Sequence, residues 1–317
     1  MLGLVLLLIG WVIAIGLAII AVLHVTVGDD TKLTLQLGAF TFWLYLPIYP
    51  VLIGALIGRQ WWLALLAGAV AIAHIVWVLP SISGATPIPK AARTAPHFTM
   101  VSANIRYDNP TPDSLLAELE RLDPDVLDLQ EVTPDWLSRM QRDGLYLRYP
   151  YRAIAPGDGP SGTAILSKLP LRDSAMTEVL RDQMVRTTIV VGHRSVRLLA
   201  IHPFAPTDYE LWKTQHDAIT RLAKSEAKRY PDLVLAGDFN STQYNGWLRQ
   251  LEDLGLQSAH ELRGRGLATT WPNGTRPLPP IQLDHVLVSK TVVPLSIREG
   301  TGTGSDHRPV ITTLAVL

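Results

Sequence analysis

Hydrophobic positions fall into two regimes along the chain. The first 79 residues hold three nearly unbroken apolar runs, at about 2–27, 36–58 and 61–79. A helix needs about 20 apolar residues to cross the hydrocarbon core, and all three runs reach that length. The first lacks the basic start of a cleaved leader and outlasts a leader's apolar core, so it is expected to be a membrane helix. Pro47 and Pro50 are expected to kink the second helix, which membrane helices tolerate. Arg59-Gln60 leaves only a tight turn, so helices two and three should form an antiparallel hairpin. Trp61, Trp62 and Trp77 suit the membrane interface. His24 and His74 lie in these runs and are expected to make hydrogen bonds between helices. Prolines 80, 87, 89 and 96 then mark an extended linker over 80–97.

From residue 98 the pattern alternates between short β-prone runs and amphipathic stretches. Strands are expected at 98–104, 126–130, 163–167, 187–191, 196–201, 233–236, 286–289 and 310–315. Helices are expected at 112–122, 134–142 and 209–228. In the first of these, Leu115, Leu116, Leu119 and Leu122 share a face. Strand-rich stretches mixed with covering helices predict an α/β domain over 98–317, with sheets packed face to face and helices outside.

Charge refines this picture modestly. Lys+Arg and Asp+Glu both total 28, but only four basic and two acidic residues precede His97. The remainder is therefore slightly acidic, which argues against a non-specific nucleic-acid binder. There is no cysteine, so disulfides, thiolate zinc sites and a cysteine nucleophile are excluded. Counted literally, loop charges lean slightly towards an inside domain: Arg59 favours an outside one, while Lys32, Lys90 and Arg93 favour an inside one.

Polar residues at the ends of the β-prone runs carry the candidate chemistry. Asn104 closes the first run, and Glu131 follows Val126–Gln130. A carboxylate at a strand end can bind Mg²⁺ or Mn²⁺ through oxygen. Asp238 and Asn240 follow 233–237, and their i, i+2 spacing puts both on one side of an extended backbone. The acid can orient a water and the amide can hold a phosphate oxygen. His202 ends the run 198–201. Asp306 and His307 follow Gly302-Thr303-Gly304-Ser305, a loop that allows close approach to an anion. A histidine there can serve as acid, base or imidazolium. Asp284 could orient a catalytic histidine, as an acid does in a hydrolase triad. Trp271, with Arg263, Arg265 and Arg276 nearby, could stack and clamp bases, line a lipid pocket, or form a packed loop.

The series Asn104, Glu131, His202, Asp238-Phe239-Asn240, Asp284 and Ser305-Asp306-His307 resembles the endonuclease/exonuclease/phosphatase superfamily of DNase I-like enzymes. The resemblance covers about 98–317 and implies a four-layer α/β/β/α sandwich with one or two Mg²⁺ ions. It implies that Asn104, Glu131 and Asp306 hold metal, and that Asp238 orients water. It further implies that Asn240 steadies phosphate, Asp284 orients His307, and His202 joins them. His202 and Arg106 depart from the apurinic branch and argue against abasic-site repair. With the apolar helices, the resemblance points to a multi-pass membrane phosphoesterase whose partners are the bilayer and a phosphate-containing, lipid-linked substrate. A tethered nuclease acting on nucleic acid and a silent binding module are the alternatives. The resemblance and the missing cysteine favour an extracytoplasmic catalytic domain.

Overall fold

A computed structural model describes residues 1–180, 182–274 and 277–317. Arg276, one of the arginines near Trp271, lies outside them. The chain divides into two compact units: Met1–Ile82 with Ser241–Arg249, and Ser83–Asn240 with Gln250–Leu317.

In the first unit, helices Leu2–Thr26 and Trp61–Ile82 are long and apolar enough to cross a membrane. The latter runs three residues past 79 and takes in Pro80. The middle run is broken into Lys32–Ala39, Thr41–Leu44 and Ile48–Ile57. Its 77° bend falls at Phe40, ahead of both prolines. Phe40 leaves the helical region (φ −97°, ψ 15°), and the Thr41 hydroxyl donates to Gly38 O at 2.7 Å. Pro47 caps the next helix and Pro50 sits in its first turn, where backbone N–H groups need no helical partner. His74 Nδ1 meets the Tyr49 hydroxyl at 2.9 Å, a bond between helices. Ser241–Arg249 joins this unit through Asp29, whose carboxylate accepts from Asn245 Nδ2 (3.1 Å) and Trp247 N (3.0 Å).

The second unit holds the strands β1 (His97–Asn104), β2 (Val126–Gln130), β3 (Tyr151–Pro156), β4 (Gly162–Ser167), β5 (Leu171–Val179) and β6 (Asp182–Val191). They continue as β7 (Arg194–Ile201), β8 (Leu233–Asp238), β9 (Gln257–Ser258), β10 (Asp284–Val288), β11 (Val292–Glu299) and β12 (Val310–Val316). Two six-stranded sheets form, in the orders β11-β12-β1-β2-β4-β3 and β5-β6-β7-β8-β10-β9. Both are mixed: β1–β2 and β7–β8 pair in parallel, the other pairs antiparallel.

Side-chain alternation sorts the residues into layers. Met100, Val126, Ile165, Val196, Leu198, Val234 and Val286 meet between the sheets. Val101, Leu127 and Leu129 point the other way, under Leu115, Leu119, Trp136 and Met140 of helices Pro112–Leu122 and Pro134–Arg142. Helix Tyr209–Arg229 is tied to the second sheet by Glu226, which accepts from Arg197 Nε at 2.7 Å and also pairs with Arg186. The result is the four-layer α/β/β/α sandwich, with the site at one end of the inter-sheet layer.

Candidate active site

The alternation that buries Met100 and Val126 between the sheets also turns Ser102, Asn104, Asp128 and Gln130 inward. In the facing sheet it turns Asp238 and Asp284 inward. Register then sets the pairs: Asn104 lies opposite Gln130, and Asp238 opposite Asp284. Ile201 lies opposite Gly237 in the parallel pair β7–β8, so His202 is delivered beside Asp238. Gly237 has φ +139°, and a Cβ there would collide with the Ile201 carbonyl oxygen, so only glycine fits the turn into Asp238.

The imidazole of His307 is the centre of the buried group. Its Nδ1 lies 2.9 Å from Asp284 Oδ2, and its Nε2 lies 3.5 Å from Asp238 Oδ2. His202 Nε2 approaches the same Asp238 oxygen at 3.8 Å. Asp238, Asp284 and His307 have ligand atoms all within 4.8 Å of one another. Burial alone would lower the His307 pKa. The Asp284, Asp238 and Asp306 carboxylates outweigh it and lift it to about 10. Burial pushes the Asp238 carboxyl up, against the pull of His307 and His202. The acids around it thus favour the imidazolium form of His307.

Asn104 links this group to Glu131. Its Nδ2 donates to Glu131 Oε1 (2.9 Å) and Asp238 Oδ2 (3.1 Å), and its Oδ1 accepts from Arg106 N (3.0 Å). Glu131 Oε2 accepts from Tyr107 N at 2.9 Å. Asn240 N donates to Asp238 Oδ1 (2.8 Å), while its Nδ2 donates to Pro203 O (2.9 Å). Ser305 Oγ donates to Asn104 O (2.7 Å) and accepts from His307 N (3.1 Å). Asp306 is half-buried and close enough for its charge to act on both His307 and Arg106. Arg106, Glu131 and Asn240 all adopt left-handed backbone, with φ of +57°, +62° and +46°. Such strain persists only where the surroundings over-determine it, and it concentrates at functional sites.

The structure thus joins Asn104, Glu131, His202, Asp238, Asn240, Asp284 and His307 through contacts, with Asp306 adjacent. Carboxylate and amide oxygens without thiolates suit a hard divalent cation. Asp284 Oδ1 is buried without a hydrogen-bond partner, so the acids are not all spent on protein contacts.

Beneath the site lies Asp128, inside the expected strand 126–130 and outside the set of candidate residues at strand ends. It is fully buried, accepts from Ser102 Oγ at 2.9 Å, and is pushed by burial up to about 8. Strict alternation puts it on the face of Val126 and Gln130, which was the available signal. A cleft of about 400 Å³ opens nearby, with Gly157, Ser161, Gly162, Gln183 and Phe204 among its lining. Gly162 O accepts from Val132 N, next to Glu131. Around Trp271, Arg263 donates to Thr86 O and Arg265 pairs with Glu299.

The family model described as Endonuclease/Exonuclease/phosphatase family matches residues 101–307. A search of curated proteins found no match. Among solved structures, D. rerio TDP2 complexed with single-strand DNA product is 19% identical with a TM-score of 0.58, covering 69% of this chain and 99% of that one. A variant of the 3' phosphatase NExo from Neisseria, bound to product DNA hairpin, is 20% identical with a TM-score of 0.56, covering 68% and 98%. An endonuclease/exonuclease/phosphatase from Beutenbergia cavernae DSM 12333 is 18% identical with a TM-score of 0.55, covering 69% and 72%. These likenesses share the fold, and the family match spans every strand end that carries the site. The chain belongs to the endonuclease/exonuclease/phosphatase family, whose members are divalent-metal-dependent hydrolases of phosphoester bonds.

Proposed function

We propose that this chain is a membrane-anchored, Mg²⁺-dependent phosphoesterase that hydrolyses a lipid-linked phosphate ester or pyrophosphate by in-line attack of water. The observation that carries the reading is the joining, in one chain, of this site to two helices long and apolar enough to cross a bilayer.

The buried charges support a division of labour. His307 is held as an imidazolium by Asp284 and offers Nε2–H to a phosphoryl oxygen as charge builds there. Asp238, set between the two imidazoles, orients the attacking water and takes up its proton. The second N–H of the Asn240 amide, beyond the one spent on Pro203, steadies the phosphate. Glu131 and Asp306, with the Asn104 amide, are the residues that would hold Mg²⁺, Mn²⁺ being an alternative. Bound there, the cation would neutralise a phosphate oxygen and ease departure of the leaving group. No covalent intermediate on the protein is needed. The 400 Å³ cleft lined by Gly162, Gln183 and Phe204 is the place for the leaving group. The site is assigned to the extracytoplasmic side.

The second reading, a membrane-tethered nuclease, is favoured by the DNA products held by the TDP2 and NExo structures. One experiment separates the two. Full-length protein in detergent is given Mg²⁺ with a polyprenyl pyrophosphate, a phospholipid panel or plasmid DNA, with EDTA and Glu131→Ala as controls. Phosphate or head-group release from lipid alone supports the proposal. Cleavage of DNA alone overturns it in favour of the nuclease. No metal-dependent hydrolysis of any substrate overturns both.

A further inference from the structure

The loop carrying Asp306 and His307 is gripped on both of its hydrogen-bonding sides by residues outside the reacting group. Glu118, 5% exposed on helix Pro112–Leu122, takes its N–H groups. Glu118 Oε1 accepts from Thr301 N (2.7 Å) and Gly302 N (3.2 Å). Glu118 Oε2 accepts from Gly302 N (3.1 Å), Thr303 N (3.2 Å) and the Thr303 hydroxyl (3.3 Å). Asn273 takes its carbonyls. Its Nδ2 faces Thr301 O (2.8 Å), Gly302 O (3.0 Å), Ser305 O (3.1 Å) and His307 O (3.4 Å). Its backbone N donates to Asp306 O at 2.7 Å.

These contacts are more than loop packing demands. An amide nitrogen has two hydrogens, yet four carbonyl oxygens converge on this one, as they would around a small cation. A carboxylate wrapped by three consecutive N–H groups is likewise a charged anchor, and charge-assisted bonds are the stronger kind. Gly302 is where the two grips meet, and a Cβ on it would strike the His307 carbonyl oxygen and crowd the Asn273 amide. Sliding either anchor by an ångström would move His307 off Asp284 and Asp306 out of place. A misplacement of that size is costly in a preorganised site.

We propose that Glu118 and Asn273 are positioning residues, a two-sided clamp that sets His307 and Asp306 for phosphoester hydrolysis. The activity arm of the test rests on the hydrolase reading above; the exchange arm does not. Full-length wild type, Glu118→Gln and Asn273→Ala are compared in detergent with Mg²⁺ and bis(4-nitrophenyl) phosphate. Backbone hydrogen exchange is followed in peptides spanning 300–308. The expected result is faster exchange in that loop in both variants. With it, kcat falls by about 10- to 100-fold, the usual cost of losing an outer support, while KM stays within about twofold. Added ammonium ion, which can sit among carbonyl oxygens as K⁺ does in carbonyl-lined sites, should restore part of kcat in Asn273→Ala. It should leave wild type and Glu118→Gln unchanged, with choline chloride as the ionic-strength control.

Wild-type kcat in either variant overturns the proposal, as does a rate loss without faster exchange in the loop. An Asn273→Ala variant that ammonium does not restore overturns the role given to the carbonyl ring. A wild-type protein that turns over neither the diester nor any lipid or DNA substrate of the panel above overturns the hydrolase reading instead. The clamp is then decided by exchange alone, and unchanged exchange in Glu118→Gln overturns it.

Discussion

His307 Nδ1 and Asp284 Oδ2 lie 2.9 Å apart, although they come from opposite sheets of the sandwich. Asp284 is the first residue of β10 in one sheet, and His307 precedes β12 in the other. The bond therefore reports on sheet-to-sheet registration as well as on chemistry. Asp284→Asn keeps the shape but removes the charge that holds the imidazolium. The expected outcome is a loss of about 10²-fold or more in kcat with substrate binding little changed. Steady-state kinetics check it, and a wild-type kcat would remove His307–Asp284 from the mechanism.

Buried groups set the pH dependence of stability: His307 and Asp128 favour low pH, while His216, whose pKa burial lowers to about 3, opposes them below about 6.5 without outweighing the pair. The folded pKa of His307 is raised to about 10, so its contribution is full below the unfolded value of about 6.5 and is lost as pH rises towards 10. The folded pKa of Asp128 is raised to about 8 by burial, so the folded state holds a proton that the unfolded chain has shed above about 4. That too makes stability fall with rising pH, by up to about 1.4 kcal/mol per pH unit between about 4 and 8. Metal-free protein should therefore be more stable at pH 5 than at pH 8, measured by thermal denaturation in EDTA. Asp128→Asn should flatten that slope. A variant with the wild-type slope would show that Asp128 is ionised in the fold.

Residues at the ends of central strands were legible because short apolar runs closed by Asn104, Glu131, His202 and Asp238 have few other readings. Strands β3, β5, β9 and β11 were not expected from the sequence, and each is a sheet edge. An edge strand pairs on one side only and can leave a face to solvent, so its apolar signal is weak; β5 is mostly exposed or half-exposed. The bend at Phe40 was displaced from the prolines because the first turn of a helix absorbs them. Glu118 had a sequence signal, since it sits between Leu115 and Leu122 on the buried face of its helix. Its partner loop lies more than 180 residues away in the chain, and no local pattern encodes such a pairing.

The outer helix of the second sheet depends on one buried acid. Glu226 and Arg197 are 5% and 3% exposed, and Glu226 also pairs with the half-buried Arg186. Removing one partner of a buried pair leaves the other charge uncompensated, at about 3–5 kcal/mol. Glu226→Gln is expected to lower the melting temperature by roughly 10 °C for a domain of this size. Because Glu226 binds Arg197 near the start of β7, and His202 follows the other end of that strand, kcat below the transition should stay near wild type. Calorimetry, with activity measured well below the transition, checks both parts.

The first unit has its own test in Asp29. Asn245 is 1% exposed, and its Nδ2 is shared between Asp29 Oδ1 and Leu35 O, both at 3.1 Å. The other oxygen of Asp29 accepts from Trp247 N, at the start of helix Gly246–Glu252. Asp29→Ala takes an acceptor from a buried amide and a cap from a helix start at once. The first loss costs about 1–3 kcal/mol and the second about 1 kcal/mol. Asp29→Asn keeps one acceptor oxygen and should lose about half as much. The full-length proteins are compared in one detergent by intrinsic tryptophan fluorescence on heating, to which Trp247 is one of nine contributors. The expected order of melting temperature is wild type, then Asp29→Asn, then Asp29→Ala. Equal melting in all three would mean that Ser241–Arg249 is not held by the loop between the first two helices.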